Sequence, residues 1–384
     1  MTDRARSWLA GLTVLALLTG CTSGDKADLR PGQLLTAHPL TTAAALPGAD
    51  TRLITYVSED SHGQPIVVSG TVSVPRGTPP DGGWPVISWA HGTTGYADTC
   101  APSADTTDGL VHDYISVVNP VLDGWIGRGY AVVQTDYQGL GTPGGHPYID
   151  GVSEAHTVTD IVAAARELDS SINGDYVAMG HSQGGQAVLF TAADPDRGGL
   201  NLLGAVALAP GGVDLRLAVD LIRSGNPEVT AAQRFVPLLV LGAAVVEPTI
   251  DPDSIFTAKA RPLLTAARTA CVAQINEVPT VPSGQVFAAD ADLGALGDFL
   301  DRQDPTRVDP QVPVLIAQGT NDVLVSRTGT DKLAKAFCDK EVAVDYQVYQ
   351  GEDHRGVIAA SVDDVQAFLD AAPNGDTVNT CPSR

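Results

Sequence analysis

The sequence predicts an α/β fold: a mostly parallel sheet with helices on both faces and a large helical insertion. Three observations carry this. Short apolar runs alternate with stretches of helical spacing from about residue 85 to residue 369, the signature of strands crossed by helices. One of these runs, 176–179, passes directly into Gly180-His181-Ser182-Gln183-Gly184 and a helix-compatible stretch from Gln186 onward. Between residues 209 and 312 the alternation lapses, and only helical segments separated by Pro and Gly are legible.

Taken in order, residues 1–20 read as an export signal. Arg4 and Arg6 are followed by an apolar stretch, 8–18, that is too short to span a bilayer. The segment closes on Leu18-Thr19-Gly20-Cys21, which resembles the lipobox of bacterial lipoproteins. That resemblance implies a lipid anchor on Cys21 and a place at the cell envelope. An ordinary secretory signal with an incidental Cys21 is the alternative. Residues 21–45 are polar and small with scattered Pro and Gly, the composition of a tether.

The expected core covers residues 46–210 and 311–384. Alternating runs at 52–58 and 66–74 open it as an antiparallel pair, followed by strands at 85–90, 130–135, the run before Gly180, 203–208, 312–317 and 343–349. These make eight strands. Helices are expected at 114–127, 152–168, 328–337 and 357–369. Residues 211–310 form the inserted helical cap, with segments at 213–224, 229–247, 257–276 and 291–302. Residues 235–246 are strongly apolar but too short for a bilayer span. They fit either the core of the insertion or the lining of an acyl pocket or lid.

A net charge of −22 argues against nucleic acid and against an anionic membrane surface as partners, leaving membrane contact to the anchor at Cys21. Hydrophobic content of 43% over 384 residues can bury a large core, and the length favours a domain with an insertion. Of 5 cysteines, Cys21 is set aside and Cys100, Cys271, Cys338 and Cys381 remain. In an exported protein an even number implies disulfides. Three pairings are possible, of which Cys100–Cys271 with Cys338–Cys381 is expected. No C-x-x-C pair occurs, which argues against zinc, and no metal site is expected.

The chemistry centres on Ser182. Gly180 and Gly184 flank it at the two positions where a tight strand-to-helix turn tolerates almost no side chain. A serine hydroxyl needs an adjacent base, and the base needs an acid to hold its tautomer. His354 is the single histidine after Ser182, in Gln-Gly-Glu-Asp-His-Arg-Gly just beyond the last strand. Asp322, in Gly-Thr-Asn-Asp after the penultimate strand, is the expected acid; Glu352 and Asp353 lie too close in sequence to face the imidazole. The oxyanion donors are expected to be the backbone N–H of Gln183 and that of Thr93, in Trp-Ala-His-Gly-Thr-Thr-Gly at 89–95, with Thr94 in reserve.

These features together resemble the α/β-hydrolase superfamily over nearly the whole chain beyond the signal. Asp-Tyr-Gln-Gly-Leu-Gly at 136–141, His-Ser-Gln-Gly-Gly at 181–185 and the helical insertion resemble, more narrowly, the secretory lipase family, which includes the fungal lipases of the Candida A type. The resemblance implies hydrolysis of carboxylic esters (lipase or esterase), no cofactor, a cap over the acyl site, and a disulfide near the oxyanion loop, consistent with Cys100. The lipobox-like Cys21 departs from the secreted fungal members. Two readings compete: a serine peptidase of the same fold, and a surface-tethered binding protein that keeps the fold without the chemistry. The absence of propeller-like repeats disfavours the prolyl oligopeptidase arrangement, and an intact Ser, Asp and His in order disfavours the binding protein.

Overall fold

The computed structural model describes residues 29–195 and 197–382. Its sheet has nine strands in the order β1-β2-β3-β5-β4-β6-β7-β8-β9. The first three, β1 (Leu34–Pro39), β2 (Ala49–Glu59) and β3 (Pro65–Pro75), form an antiparallel meander. β3 joins β5 (Ala131–Thr135) antiparallel. From there every pairing is parallel, through β4 (Trp84–Ala90), β6 (Ile172–His181), β7 (Asn201–Leu208), β8 (Val314–Gly319) and β9 (Val344–Tyr349). β5 and β8 are buried at every position, as strands covered on both faces must be.

The crossovers supply that cover. Helices α1 (His112–Gly127), α2 (Gly151–Leu168) and α3 (Gln183–Ala193) connect the central strands, and α2 packs on α3 and on the strands between them. The C-terminal segment is fastened to the β9 edge: Thr380 donates its N–H to the Val344 carbonyl at 2.7 Å, and Cys338–Cys381 is a disulfide. Covering an edge strand in this way removes a template for pairing with other chains.

The eight expected strands all form, and β1 is a ninth. Its pattern is mostly exposed, because an edge strand pairs on one side only and needs no continuous apolar run. The Leu34 N–H is also held by the Glu167 carboxylate of α2 at 2.9 Å. The tether expectation is therefore corrected from residue 34 onward: this stretch belongs to the sheet. The signal segment 1–20 and Cys21 lie outside the described residues. Among the described residues no helix is long and apolar enough to cross a membrane.

Between β7 and β8 the chain is helical, but in shorter pieces than the periodicity predicts. α4 (Leu215–Ser224) ends at Gly225, whose left-handed backbone closes it. A 3-10 turn, Pro227–Arg234, and α5 (Val236–Val246) replace one continuous helix, with Pro237 fitting the first turn of the second piece. The expected helix at 257–276 is broken at Ala270 and Cys271, both extended, into Arg261–Thr269 and Val272–Ile275. These pieces bury a second hydrophobic cluster that also takes in Tyr148 and Ile149. α5 supplies much of it, being buried from Val236 to Ala243.

Candidate active site

β6 delivers Ser182 to the C-terminal edge of the sheet at the head of α3. The serine has φ 59° and ψ −114°, a conformation an L-residue adopts only when its surroundings impose it. They do so here through the backbone: Ser182 N–H donates to Leu208 O at 2.9 Å, and Ser182 O accepts from Gly211 N–H at 2.9 Å and Gln186 N–H at 3.1 Å. A Cβ on Gly184 would overlap the Ala90 carbonyl, and one on Gly180 would overlap the Gly184 carbonyl, so the turn admits glycine alone at both positions.

The loops after β8 and β9 bring the two other expected residues to this serine. His354 Nε2 lies 2.9 Å from Ser182 Oγ, and His354 Nδ1 lies 2.7 Å from Asp322 Oδ2. Asp322 Oδ1 accepts the N–H groups of Leu324 and Val325, each at 2.9 Å, and Oδ2 also receives the Gln318 amide at 3.2 Å. Burial alone would push this carboxyl up, but the His354 hydrogen bond and charge, with the two backbone N–H groups, hold it below the usual aspartate range. Asp353 turns away from the imidazole and caps its own turn, accepting from the N–H groups of Arg355 at 3.1 Å and Gly356 at 2.7 Å.

Thr93 and Gln183 line the same cavity as Ser182 and His354. The Thr93 hydroxyl lies 2.9 Å from the Tyr148 hydroxyl. Its loop is tied to the inserted helices in two ways: a β-bridge between Gly95 and Cys271, in which Val272 N–H donates to Thr94 O at 2.8 Å, and the Cys100–Cys271 disulfide. Both disulfides are those expected. Closing loops of 171 and 43 residues stabilises by up to about 5 and 4 kcal/mol by chain entropy. Replacing Cys100 and Cys271 together by alanine is expected to cost about 2–5 kcal/mol in urea denaturation. Turnover per folded molecule should fall with it, because the Thr93–Thr94 loop loses its anchor; unchanged turnover would separate the loop from catalysis.

The cavity measures about 650 Å³ and opens onto Ser182. Its far walls are aliphatic and aromatic, with Leu217, Val219, Ile222, Val229, Phe235 and Leu239 drawn from the insertion. The apolar stretch at 235–246 thus serves as core along most of α5, and its Phe235 end also lines this cavity.

Some neighbours of the site were not singled out from the sequence. The Gln183 side chain is buried and its amide donates to Glu154 Oε1 at 2.7 Å and to His146 Nε2 at 3.0 Å. Burial pushes the Glu154 carboxyl well above the usual range and drops His146 to about 3. Gln318, which holds Asp322, is buried as well. Nothing in the sequence marks Glu154 and His146, since each meets Gln183 from a distant part of the chain, and Gln318 meets Asp322 four residues on only because the loop after β8 turns back.

A parallel sheet with a strained serine where a strand meets a helix, and loops after the last two strands converging on that serine, defines an α/β-hydrolase. Residues 109–357 match the hydrolase family described as serine aminopeptidase, S33, and the chain belongs to that family. No curated protein matches the chain. Among solved structures, Candida antarctica lipase A in its closed state is similar with a TM-score of 0.77 at 18% identity, over 92% of this chain and 84% of that one. The rice cell wall degrading esterase LipA from Xanthomonas oryzae is similar with a TM-score of 0.70 at 18% identity, over 89% of this chain and 100% of that one. At such identities the likeness concerns the fold.

Proposed function

We propose that the protein hydrolyses carboxylic esters through an acyl-enzyme on Ser182. The observation that carries this reading is the unbroken run of hydrogen bonds from Asp322 through His354 to Ser182, 2.7 Å and 2.9 Å, opening into an apolar cavity. Ser182 Oγ attacks the ester carbonyl while His354 Nε2 takes its proton. The N–H groups of Gln183 and Thr93 receive the oxyanion, with Gln183 in the first turn of α3, where the helix dipole adds to the effect. The C–O bond then breaks and the alcohol leaves with the proton from His354. Water attacks the acyl-enzyme, its proton passing to His354 and on to Ser182 as the acid departs. Asp322 stays ionised throughout and holds His354 Nδ1–H. The route requires no metal or other cofactor.

Residues 211–310 act in this reading as the cap that holds the acyl chain. The names of the two similar structures, a lipase and an esterase, agree with it. The family description favours a second reading, an aminopeptidase, which must bind a free ammonium group. Of the cavity carboxylates, Asp322 is engaged by His354 and Asp214 by Lys332, which leaves Glu228 as the group an ammonium could meet; most of the lining is apolar, which favours an acyl chain. The lipobox-like Cys21 and the disulfides support an exported, lipid-anchored enzyme.

The test is a series of esters with acyl chains of two to eighteen carbons beside aminoacyl anilides. Ester turnover is expected to exceed anilide turnover and to rise as the chain fills the apolar cavity. A strong anilide preference would overturn the reading, and saturation only above the solubility limit would mark a lipase.

A further inference from the structure

His181, the residue between Gly180 and Ser182, has no part in the proposed chemistry, yet it is buried and doubly engaged. Its Nε2 lies 2.7 Å from the backbone carbonyl of His354. Its Nδ1 lies 3.2 Å from the hydroxyl of Tyr114, a buried residue of α1 whose ring stacks on the imidazole at 5.8 Å. The same hydroxyl accepts the N–H of Gly92 at 2.7 Å, one residue before Thr93.

We propose that Tyr114 and His181 form a positioning relay that sets the oxyanion loop and the His354 loop at a fixed distance on either side of Ser182. The inference rests on reading Ser182, His354 and Thr93 as nucleophile, base and oxyanion donor. Only one assignment of protons satisfies every group: Gly92 N–H donates to Tyr114 Oη, Tyr114 O–H donates to His181 Nδ1, and His181 Nε2–H donates to His354 O. That assignment needs a neutral imidazole. Burial, and then the nearby His354, drop the His181 pKa to about 3, so it stays neutral across the working range. A second tie runs parallel to the first. Arg355, next to His354, pairs with Asp113 at 3.3 Å and lies 5.4 Å from the Tyr114 ring centre.

A relay of this kind acts on geometry that matters only in the transition state. The oxyanion donors and the imidazole must be correct together, and a displacement of about 1 Å can cost up to about a hundredfold. Tyr114→Phe leaves the ring in place and removes the hydroxyl that joins the two loops. The active fraction of each variant is counted by fluorophosphonate titration, so that misfolded protein does not enter the rate. Per titrated site, Tyr114→Phe is expected to lower kcat by about tenfold with KM unchanged within about twofold. His181→Gln retains an amide N–H able to reach the His354 carbonyl and should keep more activity than His181→Leu. A kcat per titrated site equal to that of the parent, with only Tm lowered, would overturn the relay, as would equal losses in the Gln and Leu variants. Failure of the parent enzyme itself to take up the probe would overturn the proposed function instead.

Discussion

Ser182→Ala is expected to lower ester turnover by about 10⁴- to 10⁶-fold, leaving only what binding and the oxyanion donors supply. The alanine keeps the backbone hydrogen bonds to Leu208, Gly211 and Gln186, which the side chain does not make. The fold should therefore persist, with Tm nearly unchanged. In the proposed mechanism the variant removes the atom that bonds to the acyl group. Turnover of a nitrophenyl ester measures the loss, and a variant that kept more than about a hundredth of the parent rate would place the nucleophile elsewhere.

Asp322→Asn is expected to lower kcat by about 10³- to 10⁴-fold with little change in KM. The reason lies in the two oxygens of the carboxylate. Oδ1 accepts two backbone N–H groups, from Leu324 and Val325, so an asparagine will put its carbonyl oxygen there. Its amide NH₂ then faces His354 Nδ1, where Asp322 accepts the hydrogen bond of Nδ1–H. The imidazole is left with its proton on Nε2, facing Ser182, and cannot act as a base. The same carboxylate contributes to stability, with a sign set by its lowered pKa. That contribution is present at neutral pH, above the unfolded value, and is lost as pH falls through the folded one. A loss of less than about tenfold in the asparagine variant would show that another group orients His354.

The parallel part of the fold was legible because its strands are buried on both faces and read as unbroken apolar runs between helices. β1 was not, because Leu34–Pro39 pairs on one side and leaves most of its side chains in solvent. The inserted segments were found as helical but too long. Pro237 restarts a helix in the first case, and the extended backbone at Cys271, needed to reach Cys100 and Gly95, ends one in the second. Periodicity reports which face is buried and is silent on such breaks.

At the site, chain order and placement at the sheet edge singled out Ser182, Asp322 and His354, and His354 lies within hydrogen-bond reach of the other two. The supporting residues were illegible for a common reason. Glu154 and Gln318 are polar residues on a helix and a strand, and sequence alone cannot separate a buried, partnered side chain from a solvated one. His181 stood in the motif all along, but its partners Tyr114 and the His354 carbonyl are 67 and 173 residues away.

The central claim is that Ser182 is activated by His354 to bond with an acyl or phosphonyl group. Reaction of the folded protein with a fluorophosphonate, followed by peptide mass spectrometry, tests it most directly. One equivalent of label on Ser182, abolished in Ser182→Ala and greatly slowed in a His354→Ala variant, is the predicted result. No label, or label on any other residue, would contradict it.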